Sequence, residues 1–268
     1  MSSNLLKRII VAVIGIPVLL FVIYYGGYYL YVFSLIVAVL GSWELAAMLL
    51  SKNIEIGKRL ATLLAITVVS LFQFSSFGPA GLFTMFFLFF LAASLKIIET
   101  GVVNYTSRLA MALLAAVYPG FFISFSIPIH REFPQGWLIL LFIFVNMWLA
   151  DTFAYGFGKW LGSKKLAPTV SPNKTWVGFF AAFPGGLIAA LAAFYFFDNQ
   201  WSLLTWIIAT LTATFFGQIG DLVESAIKRD CDVKDSSNLI PGHGGVLDRF
   251  DSLLFALPAV YFVFRIFS

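Results

Sequence analysis

Long apolar runs separated by short polar connections run through the whole chain. Stretches of spanning length fall at about 9–25, 28–50, 60–77, 79–98, 109–129, 136–156, 176–197, 201–222 and 250–267. Each is close to the roughly 17–25 residues an α-helix needs to cross a bilayer, where every backbone polar group must be satisfied within the helix. The pattern predicts an all-α integral membrane protein, a polytopic bundle of about nine transmembrane helices. Two connections, about 157–175 and 223–249, are longer and polar, and no soluble domain fits between the spans. The first run follows Lys7 and Arg8 as a secretory leader would. Its apolar core exceeds the usual ~7–15 residues, however, and ends in Tyr24, Tyr25, Gly26 and Gly27 without a small-residue cleavage site, so it reads as a retained helix. No fixed-period repeat or low-complexity tract is evident. A single membrane domain is expected over residues 1–268, with an aromatic-rich half to about 130 and a second half from about 131 holding both long polar loops.

Composition strengthens the membrane reading. Hydrophobic residues make up 60% of the chain and charged residues 11%, against roughly 45–50% and ~25% in soluble domains. The 31 Phe residues read as lipid-facing and helix-packing side chains rather than a cofactor site. A net charge of +4 does not indicate nucleic acid, because the basic residues form no stripe. They report topology instead. With the N-terminus cytoplasmic, Lys7, Arg8, Lys52, Lys58, Arg59, Lys96, Arg108, Lys159, Lys164, Lys165, Lys174, Lys228, Arg229, Lys234 and Arg249 share one face, and only Arg131 and Arg265 fall on the other. That 15 to 2 division of the 17 basic residues is the positive-inside asymmetry, and it places both polar loops in the cytoplasm. The single cysteine, Cys231, excludes an intrachain disulfide and a multi-cysteine zinc site, and reads as a free thiol on a loop.

Candidate chemistry is concentrated where the hydrophobicity stops. Seven of the 13 acidic residues, Asp221, Glu224, Asp230, Asp232, Asp235, Asp248 and Asp251, lie between positions 221 and 251. Among them are Lys228, Arg229, Lys234 and Arg249, the glycines Gly242, Gly244 and Gly245, and His243. Carboxylates for a divalent cation, cations for phosphate oxygens and glycines that let backbone amides approach a ligand suit phosphoryl or nucleotidyl transfer. Asp248 and Asp251, three apart at the start of the last helix, share one face. Metal binding is read there ahead of simple helix capping. Asp221 and Glu224 repeat the spacing at the end of the eighth span. The glycines around His243 look like a nest for phosphate oxygens, and His243 itself is a general base, a phosphate donor or a turn residue. In the other loop, Lys174 in Ser171-Pro-Asn-Lys-Thr-Trp-Val-Gly178 is placed to bind an anion, with Ser171 as the expected cap of the seventh helix. Asp151 is a further candidate for the carboxylate cluster. Glu44, an acid inside the second span, is expected to face the bundle interior or an aqueous cavity.

The run from Ser225 to Asp251 resembles the signature of the phosphatidate cytidylyltransferase family. Ser225, Lys228, Arg229, Lys234, Asp235, Pro241, His243, Gly244, Gly245, Asp248, Arg249 and Asp251 match its fixed positions, twelve residues over 27. The segment around Asp151, Ala154 and Tyr155 and the run from Ser171 to Gly178 extend the likeness upstream, so it covers about the C-terminal half. Val177 and Phe153 depart from it, standing where Glu and a small residue are usual. The resemblance implies an enzyme that makes CDP-diacylglycerol and pyrophosphate from phosphatidic acid and CTP, with Mg²⁺ and a possible second cation. It implies Asp221, Asp248 and Asp251 as metal ligands, with Lys228, Arg229 and His243 also catalytic. Ser171, Asn173, Lys174, Thr175, Ser225, Lys234, Gly244, Gly245 and Arg249 are the implied substrate contacts. The implied setting is a bacterial inner membrane with the site on the cytoplasmic face, in a homodimer that takes no nucleic acid. A CTP-dependent polyprenol or phytol kinase is the alternative enzyme. A secondary transporter is disfavoured, because its acids belong near the membrane midplane on broken helices, whereas here they gather beside polar loops.

Overall fold

The computed structural model describes residues 3–50, 58–74, 81, 83, 84, 86–88, 90, 91, 94, 102, 104–197 and 200–268. They form an almost wholly helical chain: α1 (Ser3–Tyr25), α2 (Gly27–Leu50), α3 (Lys58–Phe74), α4 (Tyr105–Ser124), α5 (Ser126–Glu132) and α6 (Gly136–Leu161), then the strands β1 (Lys165–Ala167) and β2 (Ser171–Thr175), then α7 (Trp176–Phe196), α8 (Leu203–Asp230) and α9 (Leu247–Phe267). Seven helical segments among the described residues are long and apolar enough to cross a membrane, α4 and α5 counting as one. The protein is a multi-pass membrane protein. The span expected at 60–77 appears as the 17-residue α3. The expected span 79–98 lies largely outside the described residues, as do Lys52 and Lys96.

The polar loops are shorter than the hydropathy pattern suggests, because helices outlast their apolar runs. α6 continues to Leu161 instead of ending near 156, and α8 continues to Asp230 instead of ending near 222. Polar pairs one turn apart stabilise the end of α8: Ser225 Oγ donates to Asp221 Oδ1 at 3.3 Å, and Lys228 pairs with Glu224. Ser225, Lys228 and Arg229 are therefore helical residues. The other connection folds into a two-stranded antiparallel hairpin that pairs Lys165 with Thr175 and Ala167 with Ser171. Its turn closes with Val170 N–H donating to Ala167 O at 3.2 Å, with Pro168 in the position that suits its fixed φ.

The described residues gather into two compact units. The first comprises Met1–Val18, Gly27–Ile127 and Cys231–Arg249; the second comprises Leu19–Gly26, Pro128–Asp230 and Phe250–Ser268. In the first unit, small residues let helices meet. A Cβ on Gly120 would lie 3.1 Å from the Ala65 backbone, and one on Gly41 would lie 2.9 Å from Pro119 and 3.0 Å from Leu247. Ser34 and Ser126 share a buried hydrogen bond of 3.0 Å. The second unit is centred on an aromatic cluster in which Trp206 contacts Phe142 at 5.0 Å and Phe264 at 5.2 Å between ring centroids. Thr214 Oγ1 donates to Asn146 Oδ1 at 3.1 Å, and Asn146 Nδ2 donates to the Gly186 carbonyl at 3.3 Å. These bonds join α6, α7 and α8. Other aromatics, such as Phe21, Phe180 and Phe262, are exposed, which for a spanning helix is exposure to lipid.

Candidate active site

The signature segment is divided between the units: Ser225–Asp230 belongs to the second, and Cys231–Arg249 to the first. In the first unit the loop is organised by Glu44 of α2, whose side chain is buried at 3% exposure. Its Oε1 accepts from Ser237 Oγ at 2.6 Å and Val246 N–H at 2.9 Å. Its Oε2 accepts from Ser236 Oγ at 3.0 Å and Leu247 N–H at 2.9 Å. Two of these donors are backbone amides at the N-terminal end of α9, where a negative charge is stabilised by unsatisfied N–H groups and the helix dipole. Glu44 faces the bundle interior, as expected of an acid at that depth. It acts there as an anchor for the loop.

Asp248 works beside it. Its Oδ2 accepts from Ser236 N–H at 2.8 Å and Gly245 N–H at 2.8 Å, and it lies 2.9 Å from Ser236 Oγ, whose single proton is shared between Asp248 and Glu44. That oxygen is committed to the loop, and so is the Gly245 amide that the nest reading offers to phosphate. Each glycine also has a backbone or packing reason. Ile240 O accepts from His243 N–H at 2.9 Å, closing a turn with Pro241 and Gly242 at its centre. Gly242 has φ +76°, the left-handed conformation a type II turn requires there. Gly244 has φ +83°, and a Cβ at Gly245 would meet Ser236 Oγ and both Glu44 carboxylate oxygens. His243 Nδ1 is buried and makes no hydrogen bond among the described residues. Around this turn lies a polar cavity of about 490 Å³ lined by Arg8, Lys234, Asp235, Asn238, Ile240, Gly242, His243, Gly244 and Arg249. The thiol of Cys231, at the edge of the same loop, is in no disulfide and is buried.

In the second unit the carboxylates converge. Asp221, Glu224 and Asp151 all lie within electrostatic range of Asp251, so α6, α8 and α9 contribute to one cluster. Gly220 allows the approach of α8 and α9, since a Cβ there would lie 2.5 Å from the Asp251 carbonyl and 2.9 Å from the Phe255 ring. Two lysines balance the cluster. Lys174 Nζ lies 2.6 Å from Asp221 Oδ2, and Lys228 pairs with Glu224, which is buried at 1% exposure. Arg229 Nε donates to the Val170 carbonyl at 3.3 Å and so ties the hairpin to the end of α8. Lys174 sits in β2, and the cap of α7 is Thr175, whose side chain accepts from Gly178 N–H at 3.1 Å. Ser171, expected as that cap, instead opens β2 opposite Ala167, because the helix begins only at Trp176. A cavity of about 630 Å³ opens beside these groups, lined by Asp151, Tyr155, Lys159, Lys165, Asn173, Lys174, Thr175, Gln218 and Asp221 among others.

Asp221 and Asp251 therefore share one cluster, and Asp151 joins it as the sequence suggested. Among the described residues no set of three or more His, Cys, Asp or Glu side chains converges closely enough, as they stand, to hold a metal ion. Four contributors were not singled out from sequence: Arg8, Ser236, Ser237 and Gln218. Gln218, which donates to the Phe179 carbonyl at 3.1 Å, carried a usable signal as an amide within an apolar run. Ser236 and Ser237 carried none, since their acceptor lies 192 and 193 residues away.

Comparison with known proteins extends the resemblance to the first half of the chain. The sequence model of the cytidylyltransferase family matches residues 6–267. The phosphatidate cytidylyltransferase of Bacillus subtilis (strain 168) is 36% identical over 273 residues, 98% of this chain and 98% of that protein. That of Staphylococcus aureus (strain COL) is 36% identical over 265 residues, 96% of each chain. That of Staphylococcus saprophyticus is 35% identical over 260 residues, again 96% of each. With a near-complete alignment added to the twelve-residue signature and the carboxylate and lysine cluster, the chain belongs to the cytidylyltransferase family and is a nucleotidyltransferase of the membrane.

Proposed function

We propose that this protein is a CTP:phosphatidate cytidylyltransferase. The observation that carries the reading is the signature segment together with relatives named phosphatidate cytidylyltransferase that align along nearly the whole chain. In the reaction a phosphate oxygen of phosphatidate attacks the α-phosphorus of CTP, and the bond to the β-phosphate breaks. CDP-diacylglycerol forms and pyrophosphate leaves. Both reactants are polyanions, so the demand on the protein is charge neutralisation and alignment rather than a covalent nucleophile.

The side chains suit that demand. Asp221 and Asp251, with Asp151 and Glu224 in electrostatic range, are the hard oxygen donors that would hold Mg²⁺ and a possible second cation once their side chains close on it. When bound, Mg²⁺ supplies positive charge to phosphate oxygens and to the leaving pyrophosphate. Lys174, held 2.6 Å from Asp221, is the phosphate-facing cation of this cluster. Lys228 neutralises buried Glu224, and Arg229 positions the hairpin that carries Lys174. Asp248 holds the signature loop in shape, and Lys234 and Arg249 line the polar cavity beside it. The site belongs on the cytoplasmic face of a bacterial inner membrane, where CTP is available, in a protein we expect to be a homodimer.

The test uses purified protein in detergent with phosphatidate and Mg²⁺. Label from [α-³²P]CTP is expected in the lipid, and label from [γ-³²P]CTP is not. Transfer of the γ-label would identify a lipid kinase, and no labelling from either would remove the proposal. In the same assay Asp221→Asn and Asp251→Asn should each lower kcat by about 10²-fold or more, since each removes charge from the donor set. EDTA should silence the wild type. Near-normal turnover of both variants at limiting Mg²⁺ would place the metal elsewhere.

A further inference from the structure

Arg8 is one positive charge among many near a helix end. Positive-inside topology asks for a cation near the membrane and specifies no partner. Arg8 nevertheless has one, 234 residues away: its Nε–H donates to the Gly242 carbonyl at 2.9 Å. That carbonyl belongs to the left-handed residue of the signature turn. The bond fixes the guanidinium against the turn, and among the described residues its Nη nitrogens make no other hydrogen bond. They stand at the polar cavity of about 490 Å³, where Arg8, Lys234 and Arg249 face a single acid, Asp235. His243 lines the same cavity with a buried Nδ1 that also lacks a partner among the described residues. Three cations against one carboxylate, around an open polar space with unused donors, is an environment for a multiply charged anion.

We propose that Arg8 is a phosphate-binding residue of the signature-loop cavity, using Nε to hold the Pro241–Gly245 turn and its Nη groups to hold a substrate phosphate against it. This rests on the reading of the protein as an enzyme acting on phosphate esters. A guanidinium can serve both contacts because its five N–H donors are planar and rigidly forked, which a lysine ammonium cannot reproduce. The phosphate comes either from the nucleotide chain or from the lipid headgroup, and kinetics separate the two.

The experiment compares wild type, Arg8→Lys and Arg8→Gln, purified as full chains in detergent, by calorimetric titration with inorganic pyrophosphate and by steady-state kinetics. Arg8→Lys keeps the topological charge and should unfold near the wild-type temperature. It should nevertheless bind pyrophosphate about tenfold more weakly, with a larger loss for Arg8→Gln. In turnover the KM for one substrate should rise by a similar factor while kcat changes less. A rise confined to CTP assigns the cavity to the nucleotide phosphates, and a rise confined to phosphatidate assigns it to the lipid. Equal pyrophosphate affinity in wild type and Arg8→Lys, or no measurable binding by wild type, overturns the proposal and leaves Arg8 a topological charge that clamps a turn. The titration does not depend on product formation, so a wild type that forms no CDP-diacylglycerol sinks the proposed function while this test still reads Arg8.

Discussion

A buried carboxylate is retained in an apolar helix only when donors replace the water it has lost. Glu44 shows how completely that can be done. Each of its oxygens accepts one serine hydroxyl and one backbone amide. The arrangement makes a sharp prediction for Glu44→Gln, which preserves shape and removes charge. An amide has one acceptor oxygen, so its NH₂ must face either Val246 N–H or Leu247 N–H, and a backbone amide cannot reverse its role as a serine hydroxyl can. The variant should lose about 1–3 kcal/mol of stability, the cost of an unsatisfied buried donor, as read by denaturant unfolding in detergent. Wild-type stability for Glu44→Gln would mean that the loop is held without this carboxylate.

At the scale of elements, helix contacts in this chain depend on where side chains are missing. A membrane supplies no hydrophobic force between helices, so close backbone approach and dispersion carry the packing. A Cβ on Gly185 of α7 would lie 2.7 Å from the Leu149 carbonyl oxygen of α6. One on Gly156 of α6 would meet nothing within 4 Å. Gly185→Ala should therefore destabilise by about 1–3 kcal/mol, as overpacking does. Gly156→Ala should be neutral or stabilising by up to about 1 kcal/mol, through the helix propensity of alanine. Thermal unfolding of the two variants side by side checks the difference in sign, and equal effects would remove the packing argument. The hairpin between α6 and α7 follows a different logic. Neither strand is long, but its turn has Pro168 in the preferred position and Arg229 holds its far end.

At the scale of the whole molecule, the asymmetry of charge sets orientation. Fifteen of the 17 basic residues fall on one side of the expected topology, an asymmetry that predicts a cytoplasmic hairpin and signature loop. A cysteine introduced at the exposed Ser163, in a Cys231→Ser background, should be shielded from a membrane-impermeant thiol reagent in intact cells and should react after permeabilisation. Reaction in intact cells would reverse the orientation. Much of the bundle was legible in advance because hydropathy is a local quantity: α2, α7 and α9 begin and end within a few residues of the apolar runs that announced them. The end of α8 was not, because Asp221, Glu224, Ser225 and Lys228 extend the helix through pairs that an apolar count reads as loop.

By itself the sequence determined that the chain crosses a membrane repeatedly, and it marked the family through twelve placed residues between Ser225 and Asp251. Both follow from patterns written in neighbouring positions. Only the tertiary structure decided which partners those residues take. It turned Asp248 toward Ser236 and Gly245, paired Lys174 with Asp221, buried Glu224 beneath Lys228, and brought Glu44 and Arg8 to a loop about two hundred residues away. A carboxylate's role depends on the donors and charges around it, and those come from distant parts of the chain. Folding therefore has to bring them together before the role can be read.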